Sequence, residues 1–237
     1  MPALVANPNK SLSYSSEQII ERRRRLLSEA RTMIAEGGLE SFSIRKLCER
    51  ADVAQRTFYN AYDSKDRLIA LAIREAYDEY QRFVSYRTDP TSIEGAIDRT
   101  LSTNRRNFKV RNYTKAIVSI YFSPGTSKDI WITIQDMAQV GWRDWLQHLK
   151  SKGHLKGWAD PARVASELAN LQYSLINDWC LERISDEEYL PSIFTATLTF
   201  LIGATTEDVS SQAEKMLNVF HETGELPEFP KPVGRGV

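Results

Sequence analysis

Apolar residues recur at three- and four-residue intervals over most of the chain, which predicts helices rather than strands. Ile19, Leu26, Leu27, Ala30, Met33 and Ile34 make the first such stripe, and Gly37–Gly38 stops it. With their start and stop signals the stripes predict helices over 16–36, 43–50, 54–61, 64–86, 91–109, 112–122, 127–151, 161–183, 186–205 and 207–223. Ser15 with Gln18, Thr91 with Glu94 and Ser185 with Glu188 have capping-box spacing, and Asp160–Pro161 offers an N-cap followed by proline at the first helical position. Strand signals are scarce. No Asn-Gly hairpin occurs, and the β-rich run Ala116–Phe122 is assigned to a short buried helix. The expected fold class is all-α.

Punctuation divides the chain. Residues 1–15 hold two prolines and little periodicity and predict a flexible arm. A small helical domain over 16–66 and a larger one over 67–223 follow, and 224–237, with three prolines and two glycines from Leu226 onward, predicts a disordered tail.

Composition adds little, but its distribution does more. Lys and Arg number 31, as do Asp and Glu, so the net charge is zero. Residues 1–70 carry +3 and the remainder −3, the sign expected if the N-terminal part meets phosphates. Cys48 and Cys180 lie far apart in apolar helical patterns, which suits buried thiols in a reducing compartment. No Cys/His cluster has metal spacing, no glycine-rich phosphate loop occurs, and no apolar run reaches the roughly 20 residues a membrane span requires. A cytoplasmic protein without cofactor, metal or membrane partner is expected.

The segment from Ser41 to Tyr62 has the spacing of a helix-turn-helix. Ile44, Leu47, Cys48 and Ala51 form one apolar face, Asp52 occupies the turn, and Val53, Phe58 and Tyr62 turn inward. Gln55, Arg56, Thr57, Tyr59 and Asn60 are left facing outward, donors and acceptors on a very short helix. The run Arg22–Arg25 points in all directions around its helix, so at most two of the four face any one partner, with Glu21 and Glu29 neutralising others. The arm, with Lys10, offers one cation for a minor groove.

Residues 23–70 resemble the DNA-binding domain of the TetR family of transcription regulators. The run Ser43-Ile44-Arg45, Leu47-Cys48, Ala51-Asp52-Val53, Thr57-Phe58-Tyr59, Tyr62 and Ser64-Lys65-Asp66 carries the resemblance. It departs from the family pattern in two places. Asp52 stands where glycine is usual, and aspartate tolerates the left-handed region. Ala54 stands where serine or threonine usually caps the recognition helix, at a general cost of about 1 kcal/mol.

The resemblance implies a dimeric regulator, most often a repressor, that binds a palindromic operator in double-stranded DNA and responds to a small-molecule effector. It implies that Ser43, Thr57, Tyr59 and Lys65 hold phosphates. Base reading then falls to Gln55, Arg56 and Asn60, with Arg45 reaching in from the bracing helix. Arginine fits guanine edges, and Gln and Asn fit adenine.

It also implies that the C-terminal helices bind the effector and form a homodimer through 161–183 and 186–205. Small residues at Ala196, Gly203 and Ala204 permit close helix approach there. Asn104, Phe108, Tyr121, Trp131, Gln135, Trp142, Tyr173 and Asn177 are candidates to line an apolar pocket with a few orienting polar groups, in which a cation held by aromatic faces is one option.

An enzyme is the weaker alternative, because His148, His154 and His221 are scattered and no nucleophile–base–acid grouping is suggested. A helical interaction module with a vestigial DNA head is the other.

Overall fold

The computed structural model describes residues 8–234, with side chains for 17–233. Residues 1–7 and 235–237, and with them the first seven of the fifteen residues of the expected arm and the end of the tail, lie outside the described residues, as does the side chain of Lys10. Among the described residues are ten helices: α1 Pro8–Gly37, α2 Ile44–Arg50, α3 Gln55–Tyr62, α4 Lys65–Phe83, α5 Ile93–Lys109, α6 Arg111–Tyr121, α7 Lys128–Ser151, α8 Pro161–Cys180, α9 Asp186–Ala204 and α10 Glu207–Thr223. Two short strands, β1 Val84–Ser85 and β2 Val233–Gly234, pair antiparallel. The chain divides into two compact units at Ile73/Arg74, inside α4.

In the first unit, Leu26, Ala30, Met33 and Ile34 of α1 are buried, as are Phe42, Leu47, Cys48, Phe58 and Tyr62. Burial of each large side chain contributes roughly 1.5–3 kcal/mol. The stripe does not extend to the start of α1: Ile19 and Ile20 are 50% and 57% exposed. Helix α1 begins at Pro8 rather than near 16, so Ser15 lies within it instead of capping it. Glu29 does not neutralise the arginine run; it joins Glu36 in binding Arg50, at 2.9 and 2.6 Å. Glu21 does pair with Arg24, at 3.6 Å.

In the second unit, α5, α7, α8, α9 and α10 enclose a core that includes Ile97, Leu101, Trp142, Trp145, Leu146, Leu168, Phe194, Leu198 and Leu201. The caps explain where these helices begin. Ser185 and Glu188 complete a capping box, and Asp160 caps α8 ahead of Pro161. The cap of α5 is Ser92, one residue beyond Thr91, with its Oγ accepting from the Gly95 N–H. Gly95 is needed there, since a Cβ would lie 1.8 Å from the Asp89 carbonyl oxygen. Ala116–Phe122 is helical as expected, forming most of α6 and its C-cap.

The tail is not loose through the described residues. Leu226 and Phe229 pack on the core, and Val233–Gly234 pairs with the residues that follow α4. Gly224 ends the helix, and the prolines that follow set the backbone extended without preventing it from docking.

Candidate nucleic-acid interface

Ser43 starts α2 from an extended conformation, its Oγ accepting from the Lys46 N–H at 3.1 Å. Helix α2 then ends in a complete Schellman turn: the Val53 N–H donates to the Cys48 carbonyl (3.0 Å) and the Asp52 N–H to the Glu49 carbonyl (3.3 Å). Asp52 takes the left-handed conformation at φ 51°, the position where glycine is the ordinary choice. Its carboxylate lies 3.8 Å from the Arg25 guanidinium of α1. The turn directs the chain into α3 through Ala54, which is extended and makes no side-chain cap. The first N–H groups of α3 therefore point outward without a side-chain acceptor, an arrangement that favours an anion.

Helix α3 buries Phe58 and Tyr62 and leaves Gln55, Arg56, Tyr59 and Asn60 exposed, with Thr57 half-buried. The Tyr62 hydroxyl holds the far side, donating to the Arg23 carbonyl of α1 (3.0 Å), while on the outer side the Tyr59 ring meets its neighbour Phe58 edge-on at 5.1 Å. Among the described residues Arg56 has no ion pair. Arg45, by contrast, pairs with Glu49 at 2.9 Å while 82% exposed.

Lys65 is half-buried. Its ammonium donates to the Phe42 carbonyl (3.0 Å) and lies 5.3 Å from the centre of that ring. One of its three donors is thus spent inside the protein. Lys46, exposed beside Ser43, was not singled out from the sequence, and its place on α2 was the available signal.

The eight body candidates do not form one site. Tyr121, Trp131, Gln135 and Tyr173 come together: Trp131 stacks on Tyr121 (5.5 Å), Tyr173 lies 4.5 Å from it, and the Tyr121 hydroxyl is 2.5 Å from Gln135 Oε1 and from Asn170 Oδ1. The Gln135 amide donates to Ser166, and the Tyr173 hydroxyl to the Ile134 carbonyl. Burial raises the Tyr121 phenol to about 12.

Asn104 and Phe108 belong to a second cluster. The Tyr189 hydroxyl donates to Asn104 Oδ1 (2.6 Å) and accepts from Asn107 (2.8 Å), while Phe108 packs edge-on against Trp179 and Tyr189. Arg111 covers the Trp179 ring at 4.3 Å and pairs with Asp186. The Trp179 indole N–H and Arg111 together hold the Asp186 carboxyl below the usual range. Trp142 is core, tilted against Trp145, and Asn177 is half-buried on α8. Asn170, Asn107 and Tyr189 were missed from the sequence, since each acts through a partner on another helix.

Among the described residues no group of three His, Cys, Asp or Glu is placed to hold a metal, and no helix is long and apolar enough to cross a membrane.

A Schellman-turned pair of short helices with a polar outer face, attached to a mainly helical body, defines a helix-turn-helix protein of two units. The family described as bacterial regulatory proteins, tetR family, matches residues 26–72, the stretch that holds α2 and α3. It is similar to the HTH-type transcriptional repressor KstR of Mycobacterium tuberculosis, 32% identical over 102 residues, 43% of each chain. KstR of Rhodococcus jostii is 36% identical over 64 residues, 27% of this chain and 30% of that one. The chain thus aligns with less than half the length of these curated relatives.

The fold extends further. A TetR transcriptional regulator from Rhodococcus sp. RHA1 superposes with TM-score 0.58 at 19% identity, covering 78% of this chain and 98% of that one. RolR, solved in complex with resorcinol, gives 0.55 at 15% identity, covering 91% and 100%.

Proposed function

We propose that this chain is a cytoplasmic transcriptional repressor whose dimer binds a palindromic operator and is released by a small-molecule effector. The observation that carries the reading is the outward set Gln55, Arg56, Tyr59 and Asn60, presented by a helix whose entry turn is closed by two backbone hydrogen bonds inside the matched region. Arg56, exposed and without an ion pair among the described residues, reads a guanine edge, and Gln55 and Asn60 read adenine, with Arg45 assisting on exchanging Glu49 for DNA. Ser43, Thr57, Tyr59 and Lys65 take phosphates, joined by the uncapped start of α3.

The dimer forms through α8 and α9. From Tyr189 to Thr205 the chain has no charged residue, although Thr199 and Gly203 are exposed and a Cβ at Gly203 would meet nothing within 4 Å. A charge-free outer helix face calls for a cover, and a second copy supplies it by symmetry.

The effector site centres on Tyr121, Trp131, Gln135 and Tyr173, with Asn170, where aromatic walls meet amides. It fits a small ring carrying a hydroxyl or carbonyl group. RolR, of the same fold, has been solved with the small phenol resorcinol.

Selection of bound duplexes from a random DNA pool tests the reading. A palindromic consensus whose recovery depends on Arg56 is expected. Recovery of no discrete sequence, at low and at physiological salt, rejects operator binding.

A further inference from the structure

We propose that the C-terminal segment 225–234 is a regulatory strap: it docks on the connection that follows α4 and so restrains the helix that carries the chain from the first unit into the second. Four observations carry this. Strand β2 pairs with β1, Val84 opposite Gly234 and Ser85 opposite Val233. Strand β1 follows Phe83, the last residue of α4, with no residue between. The boundary between the two units falls inside α4, at Ile73/Arg74. Leu226 and Phe229 are half-buried against the core formed by α5, α7, α8, α9 and α10, so the strap has an anchor as well as an end.

The chemistry of the segment suits a strap that goes on and off. Gly224 closes α10 in the left-handed conformation at φ 70°, its N–H donating to the Phe220 carbonyl, and turns the chain away from the helix. In the following sequence Leu226-Pro227-Glu228-Phe229-Pro230-Lys231-Pro232, each of Leu226, Phe229 and Lys231 precedes a proline. Proline fixes its own φ and drives the preceding residue extended, so the undocked segment is already nearly straight and little backbone freedom is lost on docking. The docked state stays marginal all the same. A two-stranded pair is barely stable in water, this one is two residues long, and Val233 and the intervening Glu228 and Lys231 are exposed. Such an element opens readily while the bundle stays folded.

Release frees β1 and the last turn of α4, where Arg82 donates to the Asp78 carbonyl one turn back. A looser α4 means that operator binding has more to order, so affinity falls. This last step rests on the repressor reading; the docking itself does not.

Hydrogen exchange of the full chain, of a chain ending at Gly224, and of the Leu226→Ala/Phe229→Ala double variant tests both parts. The double variant guards against a truncation that fails to fold. In each altered chain the amides of 80–88 are expected to exchange at least about tenfold faster, while those of α2 and α3 are unchanged, as local opening requires. Operator affinity, for a duplex selected with the full chain, is expected to fall about three- to tenfold with the dimer intact, a change within the usual range of coupling between sites. Unchanged exchange at 80–88 in both chains overturns the strap. Faster exchange with unaltered operator affinity overturns its regulatory role. If the full chain selects no duplex, the repressor reading fails, and the exchange measurement still decides whether the strap docks.

Discussion

In the first unit the polar side chains proposed to read DNA stand outside, on an eight-residue helix held by Phe58 and Tyr62 beneath it. In the body the polar side chains that matter are inside: Asn104 and Gln135 are 3% and 4% exposed and fully engaged with Tyr189, Tyr121 and Ser166. An exposed polar residue is held by water until a partner replaces it, so substituting it changes binding more than folding. A buried one has exchanged water for fixed protein partners, so losing one of them is a stability event first. The two units therefore predict opposite responses to polar substitutions.

Core truncation should produce the largest effect in either unit. Trp179→Ala removes a side chain 1% exposed and strips the ring from beneath Arg111 and beside Tyr189, and is expected to destabilise the body by about 3–5 kcal/mol in urea unfolding. A loss under 1 kcal/mol would mean that the aromatic cluster is not core.

Tyr189→Phe, which keeps the ring and removes only the hydroxyl, should cost about 1–3 kcal/mol by leaving Asn104 and Asn107 short of a partner. Its counterpart on the outside, Arg56→Ala, should leave the melting temperature unchanged yet cost about 1–3 kcal/mol of operator binding at one base position. If Arg56→Ala weakens nonspecific DNA equally, it contacts phosphate rather than a base.

Lys65→Ala mixes the two behaviours. It loses the proposed phosphate contact at every sequence, and also the bond to the Phe42 carbonyl, so melting should fall along with affinity.

A smaller effect depends on pH. The Asp186 carboxyl is held below its ordinary value by the Trp179 indole and Arg111, so it stabilises the fold above about pH 4 and that contribution disappears as pH falls through the lowered folded value. The melting difference between the parent and Asp186→Asn should be constant near neutrality and close in acid; a difference that widens in acid would contradict it.

The smallest change repairs the reading helix. Ala54→Ser supplies the missing cap and should stabilise the DNA-reading unit by up to about 1 kcal/mol. It also places a hydroxyl where the uncapped N–H groups would otherwise wait for phosphate, so operator affinity need not rise with stability.

Most helices were legible because their apolar residues carry the period of the structure, and their ends because Ser185, Asp160 and Gly38 satisfy or release backbone groups within three or four residues. Thr91 misled by one position: a hydroxyl with an acid three residues on is a local pattern, and the choice of Ser92 followed from the close approach of the Asp89 carbonyl to Gly95. Prolines after 226 were legible as helix breakers but not as a strap, because nothing local says whether an extended segment has a surface to lie on.

Local order thus settled the helical plan, the Asp52 turn and the outward face of α3, all written in contacts a few residues apart. The division of the body candidates into separate clusters, the engagement of Lys65 with Phe42 and the docking of the tail depended on partners far along the chain. Asn107 and Tyr189 lie 82 positions apart. A hydrogen bond over that separation leaves no periodicity in the sequence, so it takes the packed helices to bring it about.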